Sequence, residues 1–435
     1  MLPLSGKLRQ LNYSDAEKYL FGKRRMGMKF GLDRARRLMK DAGNPQEKFR
    51  TVHIVGTNGK GSTTALLSEI LKHLGFRTGR ITSPHLFHYR ERTAVNNKWI
   101  PEEEVVRFVE MFRERIEEYS ATFFEITTVM SAWHFMNSGV DLVVAEAGLG
   151  GRLDATRLLG GSCTVFTGVE IEHRRILGST EALITAEKVA IAPPGSVLIA
   201  YRQKPEVERI IDLAATEGNL NRIVPDPASS APLPGEHQKR NAGLAIAAAL
   251  QVTGNDEVPI IRAFEKACST LKWAGRIDLR SGTPSILFDV AHNPGSISFL
   301  IEYLKSDWQT PVPAVVGFLE DKYWREMTLQ LKGIFNPVIT TTPLNERSLP
   351  AETLAAEFRK NGIEAIPEDN IGMALAKGRS RASEILVVTG SFFVVGDAMQ
   401  QAWEKGWITM PVEGEEAGQL FDQVTNVDSS LRSSV

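Results

Sequence analysis

The chain has 435 residues, 43% hydrophobic and 24% charged, with Lys+Arg 51 against Asp+Glu 52 and a net charge of -1. That length calls for two or three domains, and that balance for a soluble protein with a real core. Even charge without a basic block argues against a nucleic-acid partner, and two cysteines, Cys163 and Cys268, exclude a disulfide framework or a cysteine-based zinc motif.

In chain order, residues 1–7 lack the apolar run of a signal peptide, and no stretch approaches the roughly 20 apolar residues of a membrane span. Cytoplasm is the expected compartment, with no membrane partner. Residues 14–48 are charged and helix-like and contain Gly27-Met28-Lys29-Phe30-Gly31-Leu32-Asp33. Residues 51–55 are β-branched and predict a strand. A glycine-rich turn follows, then apolar residues at helical spacing over 62–74. Further strands are predicted at 142–145, 164–167 and 196–200, with helical patterns at 102–119, 126–136 and 181–191 between them. Short apolar strands separated by helices imply a largely parallel sheet.

Turn residues cluster at 280–284, and the alternation restarts beyond them, with strands predicted at 285–288, 313–316, 338–342 and 385–389. The fold class is therefore α/β. Strand, glycine turn and helix form the opening unit of a nucleotide-binding α/β domain, so residues 1–280 are expected to form such a domain with a parallel or mixed sheet, and 281–410 a smaller α/β domain. The polar tail from 411 to 435 is expected to be disordered. Nothing in the sequence sets an oligomeric state, and a monomer is the default.

Gly56-Thr57-Asn58-Gly59-Lys60-Gly61-Ser62-Thr63 lies between the first strand and its helix. Glycines let backbone amides turn toward phosphate oxygens, the helix N-terminus adds partial positive charge, and Lys60 can reach terminal phosphates. The common phosphate-loop pattern is altered: Ile54 replaces its first glycine, and Gly61 separates Lys60 from Ser62. A glycine turn without ligand is the alternative.

This loop resembles that of the Mur ligase superfamily, in its folylpolyglutamate synthase/dihydrofolate synthase branch. Other segments match in the same order: Thr82-Ser83-Pro84-His85-Leu86, Phe123-Phe124-Glu125-Ile126-Thr127-Thr128, Glu146-Ala147-Gly148-Leu149-Gly150-Gly151-Arg152-Leu153-Asp154-Ala155-Thr156, Glu187-Lys188, Gly275-Arg276, Asp289-Val290-Ala291-His292-Asn293-Pro294 and Val388-Thr389-Gly390-Ser391. The resemblance implies an N-terminal P-loop ATPase-type domain, a Rossmann-like second domain, a site in the cleft between them, and ATP-dependent joining of L-glutamate to dihydropteroate or a folate through an acyl phosphate.

By the same resemblance Asn58, Gly59, Lys60, Gly61, Ser62, Asn241, Arg276, Asp289 and His292 would contact ATP. Ser83, Glu146, His173 and Lys188 would hold one or two Mg²⁺ ions, with Lys188 carbamylated. Phe123, Phe124, Glu125, Arg152 and Asp154 would meet the pterin substrate, and Lys60, His173, Lys188 and Arg276 would serve catalysis. Taken alone, Glu146 is a solvated loop carboxylate, His173 a structural histidine, Lys188 an exposed helix lysine and the Phe pair ordinary core. Glu172 stands where the family has Asp, Arg157 where it has Asn, Ala190 where it has Gly, Ala274 where it has Pro and Val290 where it has Gly. The longer Glu172 would re-aim His173, and Ala190 would be strained if a positive φ were needed. These changes keep two alternatives open: an ATP-binding homologue with weakened catalysis, or a Mur-type ligase for another carboxylate.

Overall fold

The structure, a computed structural model, describes residues 11–23 and 31–409. The segment 24–30 and the tail expected to be disordered from 411 lie outside the described residues.

Fourteen strands are named in chain order: β1 (Arg50–Val55), β2 (Thr78–Ile81), β3 (Thr93–Val95), β4 (Lys98–Trp99), β5 (Leu142–Glu146), β6 (Cys163–Phe166), β7 (Val197–Ala200), β8 (Asn221–Ile223), β9 (Asp278–Arg280), β10 (Ser285–Asp289), β11 (Val312–Val316), β12 (Phe335–Thr340), β13 (Ala365–Pro367) and β14 (Ile385–Thr389). β1 to β8 form one sheet in the order β4-β3-β2-β5-β1-β6-β7-β8, antiparallel only at β3 and β4. β9 to β14 form a second, in the order β13-β12-β11-β14-β10-β9, parallel except for β9. The change of sheet thus falls ahead of Asp278. That is slightly before the turn cluster suggested, because β9 pairs back onto β10.

The central strands are apolar on both faces because both faces are covered. β1 has five consecutive buried residues after Arg50. One face of the first sheet packs on the helix Lys60–His73, buried from Gly61 to Leu71, and on the alanine-rich helix Glu236–Thr253. Small side chains let these two helices approach closely, and each leucine or isoleucine buried there stabilises by about 1.5–3 kcal/mol. The helices Glu102–Tyr119 and Phe123–Asn137 cover the other face. No helix among the described residues is long and apolar enough to cross a membrane.

In the first sheet β5 and β6 flank β1 on opposite sides. The loops after these strands diverge, and ligands in open parallel sheets collect at such a crevice. In the second sheet the loops after β10, β11, β12 and β14 play the corresponding part. The two crevices face each other.

Candidate active site

The loop after β1 turns through Gly59, whose φ of 83° is left-handed, and a Cβ there would lie 2.5 Å from Asn241 Oδ1. Glycine is needed for both the turn and that approach. The Thr63 amide donates to Gly59 O (2.9 Å) to start the helix, and Lys60 Nζ donates to Thr57 O (3.0 Å). Every residue assigned from the sequence to the nucleotide lines one cavity of about 750 Å³ between the domains. Arg276 enters it from the interdomain linker, with its guanidinium 4.9 Å from the Phe392 ring. A Cβ on Gly61 would sit 3.6 Å from Arg276 Nη2 and 3.7 Å from Glu146 Oε2, so these opposite charges flank the same loop glycine. Asp289 accepts from the amides of Ile277 and Ala291, both at 2.9 Å, and so ties the linker in place beside Arg276. Burial pushes its carboxyl up to about 6.

Glu146, at the end of β5, is buried and accepts from the Ser83 amide at 3.1 Å. Burial pushes its carboxyl up, while Lys60 and Arg276 oppose that rise. Lys188, 6% exposed, donates to Gly56 O at 2.6 Å. Burial, and then the charge of Lys60, push its ammonium down to about 7. Burial also lowers His173, which faces Glu172, Lys322, Lys188 and Lys60. Lys60 is therefore the common neighbour of Glu146, His173 and Lys188. Among the described residues no three His, Cys, Asp or Glu side chains gather into a metal cage. One buried carboxylate beside a serine fits Mg²⁺, which takes few protein ligands and keeps several waters. Glu146 and Ser83 would hold such an ion, and it would offset triphosphate charge.

The domains touch around this cavity. Asn58 and Asn293 exchange amide hydrogen bonds of 3.2 and 2.9 Å, and His237 stacks on Phe299 with ring centroids 4.3 Å apart. Glu172 forms an ion pair with Lys322 of the loop after β11, and lies 3.7 Å from His292 Nε2 and 3.6 Å from His173 Nε2. Burial opposes the Glu172 charge, but His292 and Lys322 more than offset it and hold the carboxyl well below the usual range. Burial pushes His292 itself down to about 4, so Lys322 is the standing countercharge at neutral pH. The extra methylene of Glu172 thus serves a contact between domains. Ala190 has a φ of -63°, so no positive φ is required there and the expected strain is absent.

Replacing Glu172 with Gln removes one partner of this buried pair and is expected to cost about 3 kcal/mol of stability. The wild-type contribution is complete above the ordinary carboxylate value of 4.5 and is lost as pH falls toward the depressed folded value. Thermal melts of both proteins against pH should therefore converge in acid. A constant gap at all pH values would refute this account.

A second cavity of about 800 Å³ holds all five residues assigned to the pterin. Phe123 stacks on Phe21 (centroids 5.5 Å) and carries the Arg92 guanidinium at 5.1 Å. Phe124 lies against Gly148, where a Cβ would come within 2.6 Å of its ring. Glu125 caps its own helix through the Thr122 amide (2.8 Å) and pairs with Arg34 (3.0 Å). Asp154 accepts from the amides of Leu149 (2.8 Å) and Thr156 (3.0 Å), and Arg152 pairs with Glu187 at 2.9 Å. Asp154 and Arg152 thus brace the glycine-rich wall, while Glu125 fixes the start of the helix opposite. The two cavities share Ser83, Pro84, Gly148 and Arg347.

Sequence reasoning missed Lys322 and Arg347. Both follow strands of the second sheet, as Asp289 does, and the rule that ligands gather at the carboxyl ends of parallel strands, applied to β11 and β12, would have raised them.

A phosphate loop on one sheet, facing a second Rossmann-like domain across a shared cavity, defines a nucleotide-binding protein of the Mur ligase class. Residues 275–392 match the model for the Mur ligase, glutamate ligase domain. The chain is 30% identical over 424 residues to the dihydrofolate synthase/folylpolyglutamate synthase of Bacillus subtilis, covering 88% of this chain and 98% of that one. It belongs to the folylpolyglutamate synthase/dihydrofolate synthase family. It is also 32% identical over 425 residues to a probable bifunctional folylpolyglutamate synthase/dihydropteroate synthase of Halobacterium salinarum, covering 89% of this chain but spanning 51% of that relative. The structure of Escherichia coli FolC in complex with DHPP and ADP superposes with a TM-score of 0.79 at 26% identity, covering 91% of this chain and 99% of that one.

Proposed function

We propose that this protein uses ATP to join L-glutamate to a pterin-linked carboxylate, dihydropteroate or a reduced folate. The supporting observation is the junction of the two cavities at Ser83, Pro84 and Gly148. There a carboxylate held from the aromatic side meets the terminal phosphate held by the loop. The relative crystallised with DHPP and ADP fits the same reading.

Amide formation from a carboxylate in water requires prior activation. The carboxylate oxygen attacks the γ-phosphorus, a new O–P bond forms, and ADP leaves with the electrons of the broken P–O bond. The neutral amine of glutamate then attacks the acyl carbon. Its C–N bond forms as the C–O bond to phosphate breaks, phosphate leaves with that electron pair, and the surplus nitrogen proton passes to solvent. Such chemistry needs positioning and neutralisation of charge more than a protein nucleophile. Lys60 supplies positive charge from the phosphate loop and Arg276 from the interdomain linker, both lining the same cavity.

The test measures phosphate release with ATP, Mg²⁺ and glutamate, adding dihydropteroate or tetrahydrofolate. Release that requires both glutamate and a pterin acid is expected. Tight ATP binding without turnover on either acid would overturn the proposal.

A further inference from the structure

We infer that Phe392 is a positioning residue: its ring carries the Arg276 guanidinium and aims it at the phosphate loop, so the second domain sets where this charge stands. Its effect on turnover rests on the ligase reading above; its effect on nucleotide affinity does not.

Arg276 leaves the linker at a tight corner. Gly275 and Ile277 on either side of it are left-handed, with φ of 72° and 49°, a strained conformation for a β-branched residue. The corner is held by three bonds. The Gly275 amide donates to Asp278 Oδ2 at 3.2 Å, the Val290 amide to Gly275 O at 3.0 Å, and the Ile277 amide to Asp289 Oδ2 at 2.9 Å. These fix the backbone but not the direction of the long side chain. Ala274 stands where the family has Pro, so the approach to the corner also lacks a ring-fixed φ.

Among the described residues the guanidinium makes no ion pair. Its Nη1 donates to the Gly275 carbonyl at 3.1 Å, and its Cζ lies 4.9 Å from the centroid of the Phe392 ring, within cation–π range. Nη2 sits 3.6 Å from the Cβ position of Gly61, which leaves a donor for an oxyanion at the phosphate loop. The same ring meets the His292 ring at 5.7 Å, so one aromatic side chain backs two groups that line the nucleotide cavity. Phe392 is itself held firmly. It opens the helix Phe392–Glu404, whose Ser391 cap accepts from the Val394 amide at 3.1 Å. Gly390 before it lies so close to the second sheet that a Cβ would come within 2.5 Å of Gly317 O. The ring also packs on the core of the second domain, a role that leucine would largely keep.

A double-mutant cycle separates aim from packing. Phe392→Leu is made in the wild type and beside Arg276→Met, titrated by calorimetry with a non-hydrolysable ATP analogue and with ADP, and assayed for glutamate incorporation. In the wild-type background it should weaken the analogue and lower kcat by about 3- to 30-fold, with ADP affinity kept within about two-fold. Beside Arg276→Met it should change neither further. Phe392→Tyr keeps the ring face and should match the wild type. If the leucine variant does not fold, Phe392→Met takes its place with the same readouts. Equal losses in both backgrounds, an equal loss of ADP affinity, or a tyrosine variant as poor as leucine would overturn the assignment while leaving the ligase reading intact. If the wild type makes no amide, that reading fails, and the binding arm alone decides the role of Phe392.

Discussion

Replacing Lys60 with methionine is expected to lower kcat for glutamate incorporation by about 10²–10³-fold, the cost of deleting one preorganised charge aimed at a developing negative centre. The lysine opens the helix that follows the phosphate loop, and its Nζ curls back to Thr57 O at 3.0 Å. Its charge acts on Glu146, on His173 and on Lys188 alike. Methionine keeps the length and apolar stem, so the loop and the Gly59 turn are retained while the charge is lost. With Lys60 gone, Glu146 also loses its principal counterweight to burial, so its carboxyl is expected to titrate higher still. Steady-state assays with saturating ATP and glutamate measure the effect, and circular dichroism verifies the fold. Undiminished incorporation by the variant would refute the assignment.

The second large effect is expected at Lys188. An ordinary lysine titrates near 10.5 and is almost wholly charged at neutral pH, whereas burial and Lys60 bring Lys188 to about 7. Near pH 7 about half of it is then a neutral amine. A neutral amine adds to carbon dioxide, forming a C–N bond and releasing one proton, and the product is a carbamate. Two oxygens would replace a cation that repels Mg²⁺, leaving an anionic group suited to a hard ion. The expected results are a loss of about 10²-fold or more in kcat for Lys188→Ala, and wild-type activity that falls in carbonate-free buffer and recovers with bicarbonate. The sign follows from the depressed value: the carbamate-competent amine grows as pH rises through about 7, so the bicarbonate response should grow with it. A crystal grown with bicarbonate that shows a bare amine, or activity indifferent to bicarbonate across that range, would refute carbamylation.

Much of the fold was legible because its signals are local. The strand at 285–289, the helix at 102–119 and the strand at 385–389 follow from runs of apolar residues and from helical periodicity over short stretches. Among the strands that escaped notice, β3, β4, β8 and β13 lie toward the sheet edges and have two or three residues each, while β2 lies inside the first sheet but has only four, one of them Gly79. Two or three residues cannot display a period. The expected change of domain after residue 280 missed β9 for the same reason, since Asp278–Arg280 joins the second sheet only by pairing with β10.

The site divides along the same line. By itself the sequence determined the phosphate loop, because the strand, the glycines, Lys60 and the helix N-terminus are contiguous and their joint purpose is local chemistry. It marked Glu146 and Asp289 through the family motifs in which they stand. The tertiary structure alone decided that Glu172 meets Lys322, that Asn58 clasps Asn293, that Glu125 and Asp154 cap backbone amides, and that Arg347 stands where two cavities join. The interdomain contacts link residues more than a hundred positions apart, and a charge acquires its partner only when two sheets bring their strand ends face to face. Chain-local patterns encode which elements form. Which solvated lysine or arginine becomes part of the site depends on how the two domains close over the shared cavity.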